Sequence, residues 1–208
     1  MKDTIEKAIT VPKRIPIRQS DWDRFRHGKH WFSVIVKKER LQSPLSLDIG
    51  SGARPFPYAS VVCDLYLAPT PQRDMKELET KGKPFVVCDA QYLPFKTQAF
   101  DFATCLYLFE HVDDPKKIYS EMKRVSRHGY VQSPSWFNEE IMYGEPVHKW
   151  VMIIRDGKLY FRPVWKSLRP ILPIDYVFQR LYKRFFLWRL IHTTLDELLN
   201  VFTTRYYF

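Results

Sequence analysis

The residues of this sequence with chemistry to offer are two glycines behind an acidic strand end and two further aspartates that close similar runs. Leu45-Ser46-Leu47-Asp48-Ile49 is an apolar run that breaks into Gly50-Ser51-Gly52. Glycines in such a place let a loop approach a ligand with its bare backbone. Val61-Val62-Cys63-Asp64 and Val86-Val87-Cys88-Asp89 repeat the theme of a short strand ending in a carboxylate. Three such ends beside one glycine turn make a nucleoside-binding edge. His111 and His148 are the candidate general bases. Each has a plain alternative: Glu110-His111 as a helix cap and surface histidine, and Gly144-Glu145-Pro146-Val147-His148-Lys149-Trp150 as hairpin packing.

The elements that must position these residues alternate. Strands are expected at 45–49, 60–63, 85–88, 100–106 and 130–133, which argues an α/β domain with a parallel sheet. Asp114-Pro115 opens a helix, with Asp114 as N-cap, Pro115 at the first position and Ile118, Met122 and Val125 on one face. Gly129 is expected to end it as a left-handed cap. Further on, Asp156-Gly157 between two apolar runs predicts a hairpin. A basic aromatic helix follows over 176–200, then a last strand at 202–208. The expected organisation is a helical cap or lid over 1–44, the α/β core over 45–135, and an acceptor side over 136–208 of the same domain.

Three blocks between Leu45 and Ser135 resemble the class I S-adenosylmethionine (SAM)-dependent methyltransferases, in particular the small type 11 methyltransferase-domain proteins. They are Leu47-Asp48-Ile49-Gly50-Ser51-Gly52 with Asp64; Asp89-Ala90-Gln91-Tyr92-Leu93-Pro94-Phe95 with Phe100-Asp101; and Leu108-Phe109-Glu110-His111-Val112 with the helix through Glu121, Arg124 and Val125. The resemblance implies a Rossmann-like sheet, mostly parallel with an antiparallel edge strand and helices on both faces. It implies SAM as cofactor, with Gly50, Ser51 and Gly52 against its methionyl part and Asp64 and Leu65 at the ribose. Asp89 and Ala90 would meet the adenine, and the carbonyl near Leu106 would accept from the ammonium. Asp48 would order the loop and help neutralise that ammonium. The sequence departs from the family where a third glycine is replaced by Arg54. Pro55-Phe56-Pro57 then predicts a short rigid loop in place of the first helix. The same departure excludes a dinucleotide site, which needs a third glycine running into a helix.

Composition bounds the rest. The chain has 208 residues, is 45% hydrophobic and carries a net charge of +10. Residues 1–40 hold eleven Lys/Arg against five Asp/Glu, and 149–208 hold eleven against four, whereas 41–148 hold eleven against fourteen. The basic flanks suit an acidic or phosphorylated substrate, an anionic membrane surface reached as a peripheral contact, or nucleic acid, and equally a solvated surface with no partner, which is the commonest explanation of such charge. Nucleic acid is disfavoured, because no RNA-binding module or Asn/Asp-Pro-Pro-Tyr-type motif is present. Cys63, Cys88 and Cys105 lie in strand-like runs without zinc spacing, so they read as packed thiols and no metal site is expected. A cytoplasmic methyltransferase acting on an O, N or C atom of a small-molecule, lipid-linked or glycan acceptor is the reading that results. A SAM-binding protein without transfer activity, or a nucleic-acid methyltransferase, is the alternative.

Overall fold

The computed structural model describes residues 45–142, 146–165 and 203–208. The segment 1–44 and the helix expected over 176–200 lie outside the described residues. Six strands form the central sheet: β1 (Ser46–Ile49), β2 (Val61–Asp64), β3 (Phe85–Val87), β4 (Phe100–Leu106), β5 (Ser126–Pro134) and β8 (Thr203–Tyr207). Their order is β3-β2-β1-β4-β5-β8. All pairs are parallel except β5 with β8, where Tyr130 faces Tyr207 and Pro134 faces Thr203. This is the mostly parallel sheet with an antiparallel edge that the sequence predicts. The chain steps outward from β1 to β3, then crosses back to β4 on the other side. The carboxyl ends of β1 and β4 therefore flank the point where strand order reverses, the place where open α/β sheets bind ligands.

Burial explains the strands. Leu47, Ile49, Val62, Phe102, Ala103 and Cys105 are fully enclosed, and each large side chain among them stabilises the fold by roughly 1.5–3 kcal/mol. Helix α1 (Pro115–Val125) lays Ile118, Met122 and Val125 on the sheet. Its start is as expected, with Asp114 accepting from Lys117 N at 3.0 Å. Its end is not. The helix stops at Val125, where Ser126 turns extended and its hydroxyl donates to Met122 O at 2.7 Å. Gly129 is no cap but a residue of β5, and a Cβ there would fall 2.3 Å from the Phe208 ring.

No helix joins β1 to β2. The loop is held instead by Asp48, whose Oδ2 accepts from Phe56 N at 2.7 Å, and by Ser46 Oγ donating to Tyr58 O at 2.7 Å. Phe56 and Ala59 are buried and cover the surface that a helix would otherwise cover. Lys83 Nζ ties the same loop down by donating to Pro57 O and Ala59 O. The Asp156-Gly157 hairpin forms as β6 (Trp150–Arg155) and β7 (Lys158–Pro163), with both turn residues at positive φ. All three cysteines are free thiols; Cys63 and Cys105 are buried and Cys88 is half-buried.

Candidate functional site

The glycine turn leaves β1 in a left-handed conformation, with φ of 69° at Gly50 and 54° at Gly52. Gly50 N and Ser51 N both donate to Cys63 O, at 2.9 and 3.0 Å, so the turn is pinned to the end of β2. Gly52 N donates to Asp64 Oδ2 at 3.0 Å, and Tyr66 N to Asp64 Oδ1 at 3.1 Å. Asp64 is thereby fixed against the turn, one strand over from Asp48. A Cβ on Gly50 would stand 2.8 Å from Leu108 Cδ2, which sets the loop after β4 directly over the turn. Leu106 ends β4 opposite Gln132, and Tyr107 follows at φ 56°. A side chain held in that region carries backbone strain, which tends to collect at functional sites. Tyr107 is clamped there by Gln132, whose Nε2 donates to its hydroxyl at 2.6 Å.

Asp48 lies deeper. It is 2% exposed and also accepts from Thr104 Oγ1 at 2.6 Å. Burial pushes its carboxyl up from 3.8 to about 6, against the lowering effect of its two hydrogen bonds. Asp89 closes the third strand end and accepts from Gln91 N at 2.8 Å. The loop that follows is secured from α1: Glu121 Oε2 accepts from Leu93 N, while Arg124 donates to Leu93 O, Phe95 O and Glu121. Ala90 is half-buried and Leu65 is exposed. The sheet thus brings Asp48, Gly50, Ser51, Gly52, Asp64, Leu65, Asp89, Ala90 and Leu106 to one edge.

Sequence reasoning missed Arg73. It sits in a single 3-10 turn (Pro71–Arg73) of the β2–β3 connection and reaches back to the glycine turn. Its Nη1 lies 3.6 Å from Asp64 Oδ1 and its Cδ 3.2 Å from the position of a Cβ on Gly52. The guanidinium also donates to Tyr66 O and Ala68 O. No local signal marks this residue, because its role depends on how the connection folds back. Beside it Ser51 Oγ is buried without a hydrogen-bond partner.

A second cluster follows β4. His111 and His148, far apart in sequence, bring their rings to 4.6 Å between centroids. His148 Nδ1 is 2.7 Å from Glu139 Oε1, a carboxylate that sequence reasoning did not single out. Glu139 belongs to a π-helical turn (Asn138–Met142) that follows β5. The adjacent Glu140 binds Arg162 of β7, with Arg162 Nη2 donating at 2.8 Å, and accepts from Trp165 N at 2.8 Å. Glu110 is no exposed cap. It is 1% exposed, accepts from Ser133 Oγ at 3.0 Å, and burial raises its carboxyl to about 7. Burial, with His148 nearby, lowers His111 to about 4. Lys149 N donates to Glu110 O at 2.7 Å and Trp150 Nε1 to Val112 O at 2.9 Å, so the 146–150 segment brackets the loop after β4.

Residues 47–131 match the family model described as a methyltransferase domain. The chain is similar to a demethylmenaquinone methyltransferase of Paenarthrobacter aurescens, 32% identical over 112 residues, covering 49% of this chain and 42% of that protein. It is also similar to a ubiquinone/menaquinone biosynthesis C-methyltransferase of Desulfotalea psychrophila, 26% identical over 135 residues, covering 61% of this chain and 50% of that one. The chain spans about half the length of these curated relatives or less. A solved structure of a SAM-dependent methyltransferase from Thermotoga maritima, described as a possible histamine N-methyltransferase, aligns at 25% identity and a TM-score of 0.38 over 53% of each chain.

Proposed function

We propose that this chain, whose residues 47–131 form a SAM-dependent methyltransferase domain, methylates a hydroxylated small molecule of the quinol or phenol type at oxygen or at a ring carbon. The observation that carries the reading is the glycine turn joined through Gly52 N to Asp64 at the reversal of strand order. The residues present fit the cofactor. Ser51 Oγ is a buried hydroxyl without a partner in the glycine turn, and the carboxylate of Asp64 offers two acceptor oxygens that suit a ribose diol. Gly50, Ser51 and Gly52 would take the methionyl part, Asp64 and Leu65 the ribose, Asp89 and Ala90 the adenine, and the Leu106 carbonyl the ammonium.

Bound there, SAM supplies a methyl group already activated by its sulfonium. The protein has to align the acceptor with it, and alignment can supply roughly 7–11 kcal/mol of the barrier. A hydroxyl acceptor must also lose its proton. With Glu139 holding His148 Nδ1–H, His148 Nε2 is the basic nitrogen: it would take the hydroxyl proton as the acceptor's oxygen bonds the methyl or, for transfer to a ring carbon, the hydrogen that this carbon sheds after bonding the methyl, the bond from methyl to the cofactor's sulfur breaking in either case. The names of the two curated relatives support a quinone-type acceptor, and the basic flanks support delivery from an anionic surface. No helix among the described residues is long and apolar enough to cross a membrane.

Calorimetry with SAM and with S-adenosylhomocysteine, followed by transfer of labelled methyl to a panel of quinols and phenols, tests the proposal. Absence of cofactor binding by the folded protein overturns it. Arg54 in place of a third glycine, with the Pro55-Phe56-Pro57 loop in place of the first helix, favours a second reading, SAM binding without transfer, and saturable binding with no product across the panel would select that reading.

A further inference from the structure

We propose that Glu110, His111 and His148 form a binding site for one divalent transition-metal ion of the zinc type. Each offers one ligand atom, and the three atoms lie within 4.8 Å of one another. Two imidazoles and one carboxylate are the donor set of zinc sites that keep a fourth position open. Two nitrogen donors disfavour magnesium and calcium, which take oxygen. An ion about 2.1 Å from each ligand would set the ligand atoms about 3.4 Å apart. The cluster must therefore contract by a little over an ångström.

The surroundings are those of a supported site. Glu139 Oε1 holds His148 Nδ1 at 2.7 Å, which makes Nε2 the coordinating atom. A carboxylate behind a metal-binding histidine fixes its tautomer and strengthens it as a ligand. Ser133 Oγ steadies Glu110 Oε2 at 3.0 Å. Two buried polar atoms of the cluster, His111 Nδ1 and Glu139 Oε2, have no hydrogen-bond partner. Buried polar atoms in that condition call for an ion, a water or a functional role.

Binding of the ion does not rest on the methyl-transfer reading, but its use does. With the ion in place, His148 Nε2 is a ligand and no longer a base. The open position then takes the acceptor's hydroxyl oxygen and lowers its pKa, and the proton leaves to solvent before the methyl is accepted.

The test is titration of zinc sulfate into chelator-treated, re-dialysed protein by calorimetry, with the visible spectrum of the cobalt(II)-loaded protein as a second readout. The expected result is one equivalent bound in the micromolar range or tighter, with ligand-field bands of a four- or five-coordinate cobalt site. His111→Ala and His148→Ala should each weaken binding by about 100-fold or more. Glu139→Gln, close in shape to the native side chain and a positioning residue, should weaken it by about 10–100-fold. No uptake by folded wild-type protein, or affinity unchanged in all three variants, overturns the proposal. Should either alanine variant fail to fold, Glu139→Gln and the cobalt spectrum decide it. Metal binding without methyl transfer leaves this inference standing and overturns the functional reading; transfer without metal binding does the reverse.

Discussion

Replacing Asp48 by asparagine should remove a pH-dependent cost of folding. The carboxyl is buried beneath the glycine turn, and its value rises from 3.8 to about 6. Between those two values the folded protein keeps a proton that the unfolded chain has released, so raising the pH favours unfolding. At about 1.4 kcal/mol per pKa unit, the displacement amounts to about 3 kcal/mol. That destabilisation is absent below pH 3.8, grows through about 6 and is constant above it. Asparagine fits the same bonds: its carbonyl accepts from Phe56 N, and its amide donates to Thr104 Oγ1 while the threonine hydroxyl turns to Leu47 O, now 3.4 Å away. Urea unfolding of both proteins from pH 4 to pH 8 is the assay. From pH 4, where about 0.5 kcal/mol of the cost has already developed, the gap should widen by about 2.5 kcal/mol in favour of Asp48→Asn as the pH rises to 8, about 1 M in midpoint for a slope of about 2–3 kcal/mol per molar. A gap that stays flat, or that widens in favour of wild type, would refute the argument. Buried carboxyls elsewhere, Glu110 among them, cancel in the comparison.

Three further outcomes follow from the same edge. Arg73→Ala takes a competing cation off Asp64 and should tighten SAM binding about 5–10-fold, roughly 1 kcal/mol and the equivalent of one ordinary hydrogen bond, since the contact is long at 3.6 Å; calorimetry checks it, and weaker binding would mean that the arginine belongs to the cofactor site. Ser51→Ala deletes a buried hydroxyl without a partner, so it should stabilise the cofactor-free protein by about 1 kcal/mol while weakening SAM binding, measured by unfolding with and without cofactor. Arg124→Ala leaves Leu93 O, Phe95 O and Glu121 short of donors and should cost about 2–3 kcal/mol in urea unfolding. It should loosen the loop after Asp89, read as faster amide exchange at Gln91–Leu93.

What was legible in the sequence was local. The run Leu47 to Gly52 could be read because strand burial and left-handed glycine leave their marks within six residues. The Asp156-Gly157 hairpin was legible for the same reason, and so was the loop around Pro55 and Pro57 that replaces a helix. Gly129 misled because a glycine after a helical face looks like a cap, whereas Ser126 ends the helix and Phe208 fills the space beside the glycine. Arg73 left no trace because its partners, Asp64 and Gly52, are set by the fold-back of the β2–β3 connection. His111 and His148 were legible as candidates, but their meeting was not. It depends on the π-helical turn, which delivers Glu139 to one imidazole.

That turn presents two neighbouring carboxylates in opposite service. Glu139 grips the imidazole of His148, and Glu140 grips Arg162, whose guanidinium also lies over the exposed Trp165 ring, 4.5 Å from its centroid. Backbone neighbours cannot shift independently. One short turn thus ties the orientation of a buried imidazole to the anchoring of the strand that follows the hairpin turn, so the two contacts are held by a single piece of backbone.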